Sequence, residues 1–168
     1  MNTLFILNPN AGQNRRRPGL SAELERFIAT HRLDAQVEST RGPGHATRLA
    51  RAAVQRGCAR VVAVGGDGTL NEIAQALIGT STALALVPCG SGNGLALHLG
   101  LPARLAAALK LLLPGAGREL AIDTGSVNGH PFCNAMGLGF DAEISRRFNQ
   151  LRRRGLAAYF RTGLAALV

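Results

Sequence analysis

The sequence predicts an α/β fold, a parallel sheet covered by helices on both faces, followed by the start of a second, β-rich region. Short, continuous apolar runs alternate with amphipathic helical stretches, as strands buried on both faces of a parallel sheet do. Glycine-rich loops follow those runs, at the edge where open parallel sheets bind ligands. From about Gly117 the pattern changes to one of paired short strands.

Leu4 to Leu7 reads as the first strand and runs into the turn cluster Asn8-Pro9-Asn10-Ala11-Gly12 and then Arg15-Arg16-Arg17. Leu20, Leu24, Phe27 and Ile28 keep helical spacing, and Ala35 to Thr40 reads as the second strand. Leu49, Ala50, Ala53 and Val54 mark the next helix, closed by Gly57. Val61 to Val64 is the third strand, Leu70 to Ile78 the helix it feeds, and Ala83 to Val87 the fourth strand. Beyond Gly117, Glu119 to Val127, Asn128-Gly129 and Pro131 to Met136 predict an antiparallel hairpin closed by a primed turn. Leu156 to Val168 is helix-like and stops without a cap, so the chain is expected to end inside a larger fold. The expected division is residues 1–117 for the α/β lobe and 118–168 for the incomplete second lobe.

A chain of 168 residues suits one compact α/β core. A hydrophobic share of 46% with 21 glycines fits an Ala/Leu/Val-rich globular domain rather than a disordered one. Apolar stretches are interrupted by Lys110 and Arg161, so no membrane-spanning segment is expected, and no signal peptide is visible at the N-terminus. Cys58, Cys89 and Cys133 lack the spacing of a disulfide framework or zinc site, and the four histidines show no metal spacing.

The formal charge of +9 comes from 19 basic residues, all but one of them arginine, against 10 acids. No acid follows Glu143, whereas Arg146, Arg147, Arg152, Arg153, Arg154 and Arg161 do. Such a face suits nucleotide phosphates, an anionic bilayer or nucleic acid, and each basic residue near an anionic bilayer adds about 1 kcal/mol.

Two glycine clusters carry the chemistry. Val61 to Val64 empties into Gly65-Gly66-Asp67-Gly68-Thr69-Leu70-Asn71-Glu72, where glycines admit a polyanion to the backbone and the helix N-terminus offers amides to it. Asp67 in that loop can hold Mg²⁺ against phosphates or take a proton from an incoming hydroxyl. Pro88-Cys89-Gly90-Ser91-Gly92-Asn93-Gly94 follows the next strand, and Ser91 and Asn93 can donate to phosphate or adenine. Asn8 and Thr40 end the other two strands, so four strand ends converge on one crevice of a Rossmann-like nucleotide-binding lobe. A P-loop is absent, no acid stands about 20 residues beyond Gly137 to Ala142 to hold a dinucleotide ribose, and Cys89 breaks a hydrolase elbow at Ser91.

These blocks resemble the diacylglycerol kinase catalytic family, which includes bacterial lipid kinases and sphingosine kinases. Asn8-Pro9 with Gly12, Gly65 to Glu72, and Pro88 to Asn93 carry the resemblance. Ile122-Asp123 and Asn134 to Ala142 are similar to the family's entry into its second lobe. Gly94 stands where many bacterial members have Asp, so the second block is nearer the sphingosine-kinase form.

The resemblance implies an ATP-dependent lipid kinase with ATP and Mg²⁺ as cofactors. Thr40, Gly65 to Asn71 and Ser91 would bind ATP, with Asp67 nearest the reacting phosphate. Asp141 would hold the lipid headgroup and one of Arg152, Arg153 and Arg154 would contact phosphate. Asn8, Glu72, Gly90, Gly92 and Asn93 complete the expected nucleotide site. The expected partners are a lipid substrate and an anionic membrane surface at the cytoplasmic face of the inner membrane, not nucleic acid, and a homodimer is compatible with the sequence. The alternatives are an NAD kinase-like enzyme, which shares Gly-Gly-Asp-Gly-Thr, and a non-catalytic nucleotide-binding fragment.

Overall fold

The apolar runs form a four-stranded parallel sheet of order β2-β1-β3-β4, built from β1 (Thr3–Leu7), β2 (Ala35–Ser39), β3 (Arg60–Gly65) and β4 (Ala83–Pro88). The computed structural model describes residues 2–134, with 139 and 142 beyond them. Residues through Cys133 make one compact unit.

Alternation within the strands assigns each side chain to a layer, even though both layers are apolar. Phe5, Leu7, Val62, Val64 and Val87 face α1 (Leu20–Thr30) through Leu20 and Leu24. Leu4, Ile6, Val61 and Ala63 face the opposite way, onto Ala46, Ala50 and Ala53 of α2 (His45–Gln55) and Ile73 and Leu77 of α3 (Asp67–Leu77). The alanines of α2 allow close packing against the sheet and against α3.

The chain leaves β1 for β2 across one face and returns past β1 to β3 across the other. Order therefore reverses beside β1, and the crevice outside the carboxyl ends of β1 and β3 is where such sheets hold ligands.

Two short helices escaped the sequence reading. The fourth α-helix, α4 (Gly94–His98), and α5 (Leu105–Lys110) fill the path after β4, and a 3-10 turn (Asn14–Arg16) follows the first loop. Each is under two turns, too short for helical periodicity to register. The α5 residues Leu105, Ala108 and Leu109 complete the α1 side of the core.

The hairpin is present but shorter than expected. It consists of β5 (Gly125–Val127) and β6 (His130–Phe132), antiparallel, with Val127 opposite His130. Asn128 and Gly129 both have positive φ, 50° and 77°, as the primed turn requires. Residues 119–124 are not strand, and their apolar members Leu120 and Ile122 are exposed. Alternation alone is no strand without a neighbouring ladder. Among the described residues no helix is long and apolar enough to cross a membrane. The expected helix at 156–168 lies outside the described residues.

Leu24 is 0% exposed and Leu97 is 69% exposed, so truncation should separate them. Leu24→Ala is expected to cost about 2–5 kcal/mol in urea unfolding, and Leu97→Ala to stay within about 0.5 kcal/mol.

Candidate active site at the carboxyl edge of the sheet

The strand ladders continue one residue into the loops and so set the height of every loop. Asn8 N donates to Val64 O (3.1 Å), Thr40 N to Leu7 O (2.8 Å) and Cys89 N to Gly65 O (2.8 Å). The four strand ends named from sequence thus stand side by side.

The two glycine loops then touch through main chain. A Cβ built on Gly90 would lie 2.5 Å from Gly66 Cα, and one built on Gly66 would lie 2.9 Å from Gly90 Cα. No side chain fits between them. From this contact Asp67 Oδ2 accepts a hydrogen bond from Asn93 N at 2.7 Å. Among the described residues Asp67 Oδ1 accepts none, and Asp67 and Gly68 are exposed at the start of α3.

Several polar residues named from sequence are engaged inside the protein. Asn8 Nδ2 donates to Thr69 Oγ1 (2.9 Å), and Asn8 Oδ1 accepts from Asn10 N (2.9 Å). Thr69 is 5% exposed, so the pair fastens the end of β1 to α3. Asn93 Oδ1 accepts from Gly90 N (2.8 Å) while its Nδ2 donates to Gly90 O (3.0 Å). Glu72 Oε2 accepts from Ala46 N (3.2 Å), and Glu72 O accepts from Thr47 Oγ1 (2.8 Å). That carboxylate meets free amides and the favourable dipole at the start of α2. Leu70 and Thr40 are buried, at 8% each, whereas Asn71, Ser91 and Gly92 are exposed. Asp141, Arg152, Arg153 and Arg154 lie outside the described residues.

Sequence reasoning missed Asn14. It is 4% exposed, and its Nδ2 donates to Asn8 O (2.8 Å) and Val64 O (3.3 Å), bridging the ends of β1 and β3. Its Oδ1 is buried without a partner among the described residues. An asparagine seven residues past the end of a strand carries no signal of this kind. The loop after Thr40 also folds back, with Arg41 N donating to His45 Nδ1 at 3.0 Å.

Behind the second loop, Gln13, Arg17, Glu23, Cys89 and Arg104 line a cavity of about 330 Å³. Burial pushes the Cys89 thiol up from the ordinary 9.0 to about 11, against a smaller downward pull from Arg17. The folded chain thus holds this proton more tightly than the unfolded one. The resulting contribution to stability is complete below pH 9 and lost as pH rises through 11.

Comparison with known proteins agrees with this architecture. The diacylglycerol kinase catalytic domain profile matches residues 2–127. A probable lipid kinase YegS-like protein of Pseudomonas fluorescens is 40% identical over 156 residues, covering 89% of this chain and 51% of that protein. One from Klebsiella pneumoniae is 37% identical over 146 residues, covering 85% of this chain and 47% of that protein. A solved structure of a putative diacylglycerol kinase from Bacillus anthracis aligns with a TM-score of 0.68 at 28% identity, covering 78% of this chain and 44% of that one. The chain belongs to the diacylglycerol kinase catalytic domain family. It spans about half the length of the curated relatives it matches.

Gly90→Ala should force the loops apart and lower stability by about 1–3 kcal/mol in thermal unfolding, whereas Gly68→Ala, with nothing within 4 Å of its Cβ, should fold as the wild type does. At pH 8, iodoacetamide should alkylate Cys89 far more slowly in the native chain than in urea; equal rates would contradict the buried, high-pKa thiol.

Proposed function

Taking membership of that family as the premise, we propose that the chain is the nucleotide-binding lobe of an ATP-dependent lipid kinase. The transfer moves the γ-phosphoryl group of ATP to a lipid hydroxyl of the diacylglycerol or sphingoid type. The bond from the γ-phosphorus to the bridging oxygen breaks, a bond to the lipid oxygen forms, and the hydroxyl proton is released. The observation that carries the reading is the pair of touching glycine loops that, among the described residues, leave one oxygen of Asp67 free beside the α3 N-terminus.

The residues present fit a magnesium-bound triphosphate. Mg²⁺ is commonly held by one or two carboxylates together with substrate phosphates rather than by a protein cage. Among the described residues no cluster of three potential ligands exists, and Asp67 supplies a single free oxygen. Main-chain amides at Gly68 and beyond, at the positive end of α3, would receive phosphate oxygens. The exposed hydroxyl of Ser91 is placed to donate from the second loop.

With no P-loop lysine, charge neutralisation would fall to the cation and to arginines. Arg15, Arg16 and Arg17 follow β1, in and just after the 3-10 turn, and Arg41 follows β2, all exposed at the same sheet edge. Asp67 would either bind the cation or accept the hydroxyl proton, and both roles use the oxygen that Asn93 leaves open. Asp141 and Arg152 to Arg154 remain the expected headgroup and phosphate contacts. The acid-free stretch after Glu143 supports work at an anionic membrane surface.

The test is transfer of label from γ-labelled ATP with Mg²⁺ to vesicles of diacylglycerol and anionic phospholipid, with NAD as a parallel acceptor. Label is expected in the lipid, reduced about 10²-fold or more in Asp67→Asn. Label in NAD alone, or transfer indifferent to Asp67→Asn, would reject the lipid kinase reading. ATP binding without transfer would identify a nucleotide-binding module that needs the remainder of a longer relative.

A further inference from the structure

Asn93 has the residue type of a nucleotide ligand, but its side chain is fully engaged in its own loop. Oδ1 accepts from Gly90 N at 2.8 Å and Nδ2 donates to Gly90 O at 3.0 Å, closing a ring of two hydrogen bonds on one residue. That ring holds the backbone at φ 58° and ψ 43°, a left-handed conformation that asparagine tolerates far better than most residues. In this conformation the main-chain N–H of Asn93 reaches Asp67 Oδ2 at 2.7 Å. Gly92 leaves the carboxylate room, since a Cβ there would stand 3.0 Å from the same Oδ2.

We infer that Asn93 is a positioning residue for Asp67: it fixes the carboxylate by holding Oδ2 on its amide, so that Oδ1 alone is presented to the reacting phosphate. This rests on the proposed nucleotide site and gives Asn93 a role other than direct contact with ATP. The fixed carboxylate needs no reorientation when a cation or hydroxyl arrives, which is the preorganisation that makes a polar site effective. The same bond joins the loop after β3 to the loop after β4. A disturbance of either loop therefore reaches the free oxygen of Asp67.

The experiment uses the full chain and two readouts. The first needs no ligand: melting temperatures of Asp67→Ala, which removes the acceptor, of Asn93→Gly and of the double variant. Glycine keeps the left-handed backbone accessible while removing the side-chain ring. Strong non-additivity is expected, the double variant losing little more than the worse single variant, and additive shifts would overturn the coupling.

The second readout is ATP affinity with Mg²⁺ and with EDTA. Asn93→Gly is expected to reduce the ratio of the two affinities at least threefold while changing the Mg²⁺-free affinity by less than twofold. A purely structural or direct-ligand role would weaken both titrations together and leave the ratio unchanged, which overturns the inference. A wild-type chain that binds no ATP in either condition would instead reject the nucleotide site. The ligand-free cycle would then still decide whether Asn93 and Asp67 act as a pair.

Discussion

The crevice depends on main-chain contact between two loops, at a separation that only glycine permits. Gly66 and Gly90 lie so close that a Cβ on either would collide with the other's Cα. A third loop joins them, because Gln13 N donates to Cys89 O at 2.9 Å and a Cβ on Gly12 would stand 2.5 Å from that same oxygen. Once the loops touch, Asp67 and Asn93, each one to three residues from the contact, come within hydrogen-bond reach. The short range of hydrogen bonds makes this approach decisive, since a displacement of about 1 Å would abolish a bond of 2.7 Å.

The sheet supplies the rigidity that such an approach needs. Leu4, Ile6, Val61, Val62 and Val64 are 0% exposed, so β1 and β3 are packed on both faces and their ends cannot drift independently. Asn14 ties those two ends from below, and Asn8 ties β1 to the first turn of α3 through Thr69. Glu72 then joins α3 to the start of α2. The polar braces run from sheet to helix to helix around the same edge.

The strands and three long helices were legible because burial on two faces demands uninterrupted apolar runs, and helices packed on a sheet demand a 3.6-residue stripe. Val61 to Val64 and Leu70 to Leu77 are clear instances. α4 and α5 were not legible, since fewer than two turns cannot display a stripe. The hairpin's turn was legible in Asn128-Gly129, a local backbone requirement, but its length was not, because pairing depends on what lies alongside.

The candidate site divides in the same way. That Asn8, Thr40, Asp67 and Asn93 meet at one edge follows from parallel topology, and the sequence shows it. Which of them face inward does not follow, because an asparagine able to donate to phosphate is equally able to donate to a carbonyl. Asn8, Thr69, Asn93 and Glu72 prove to be engaged with protein groups, and only distances reveal that.

The partner chosen for Asp67 matters electrostatically as well as geometrically. An arginine in the place of the Asn93 amide would orient the carboxylate equally well, but its full positive charge would cancel much of the field that attracts a cation. A main-chain amide is a neutral donor that every residue except proline supplies. It fixes one oxygen and leaves the negative charge of the group undiminished in a chain of net charge +9. Among arginine-bearing loops, the main-chain amide orients the carboxylate of Asp67 without placing a positive charge beside it.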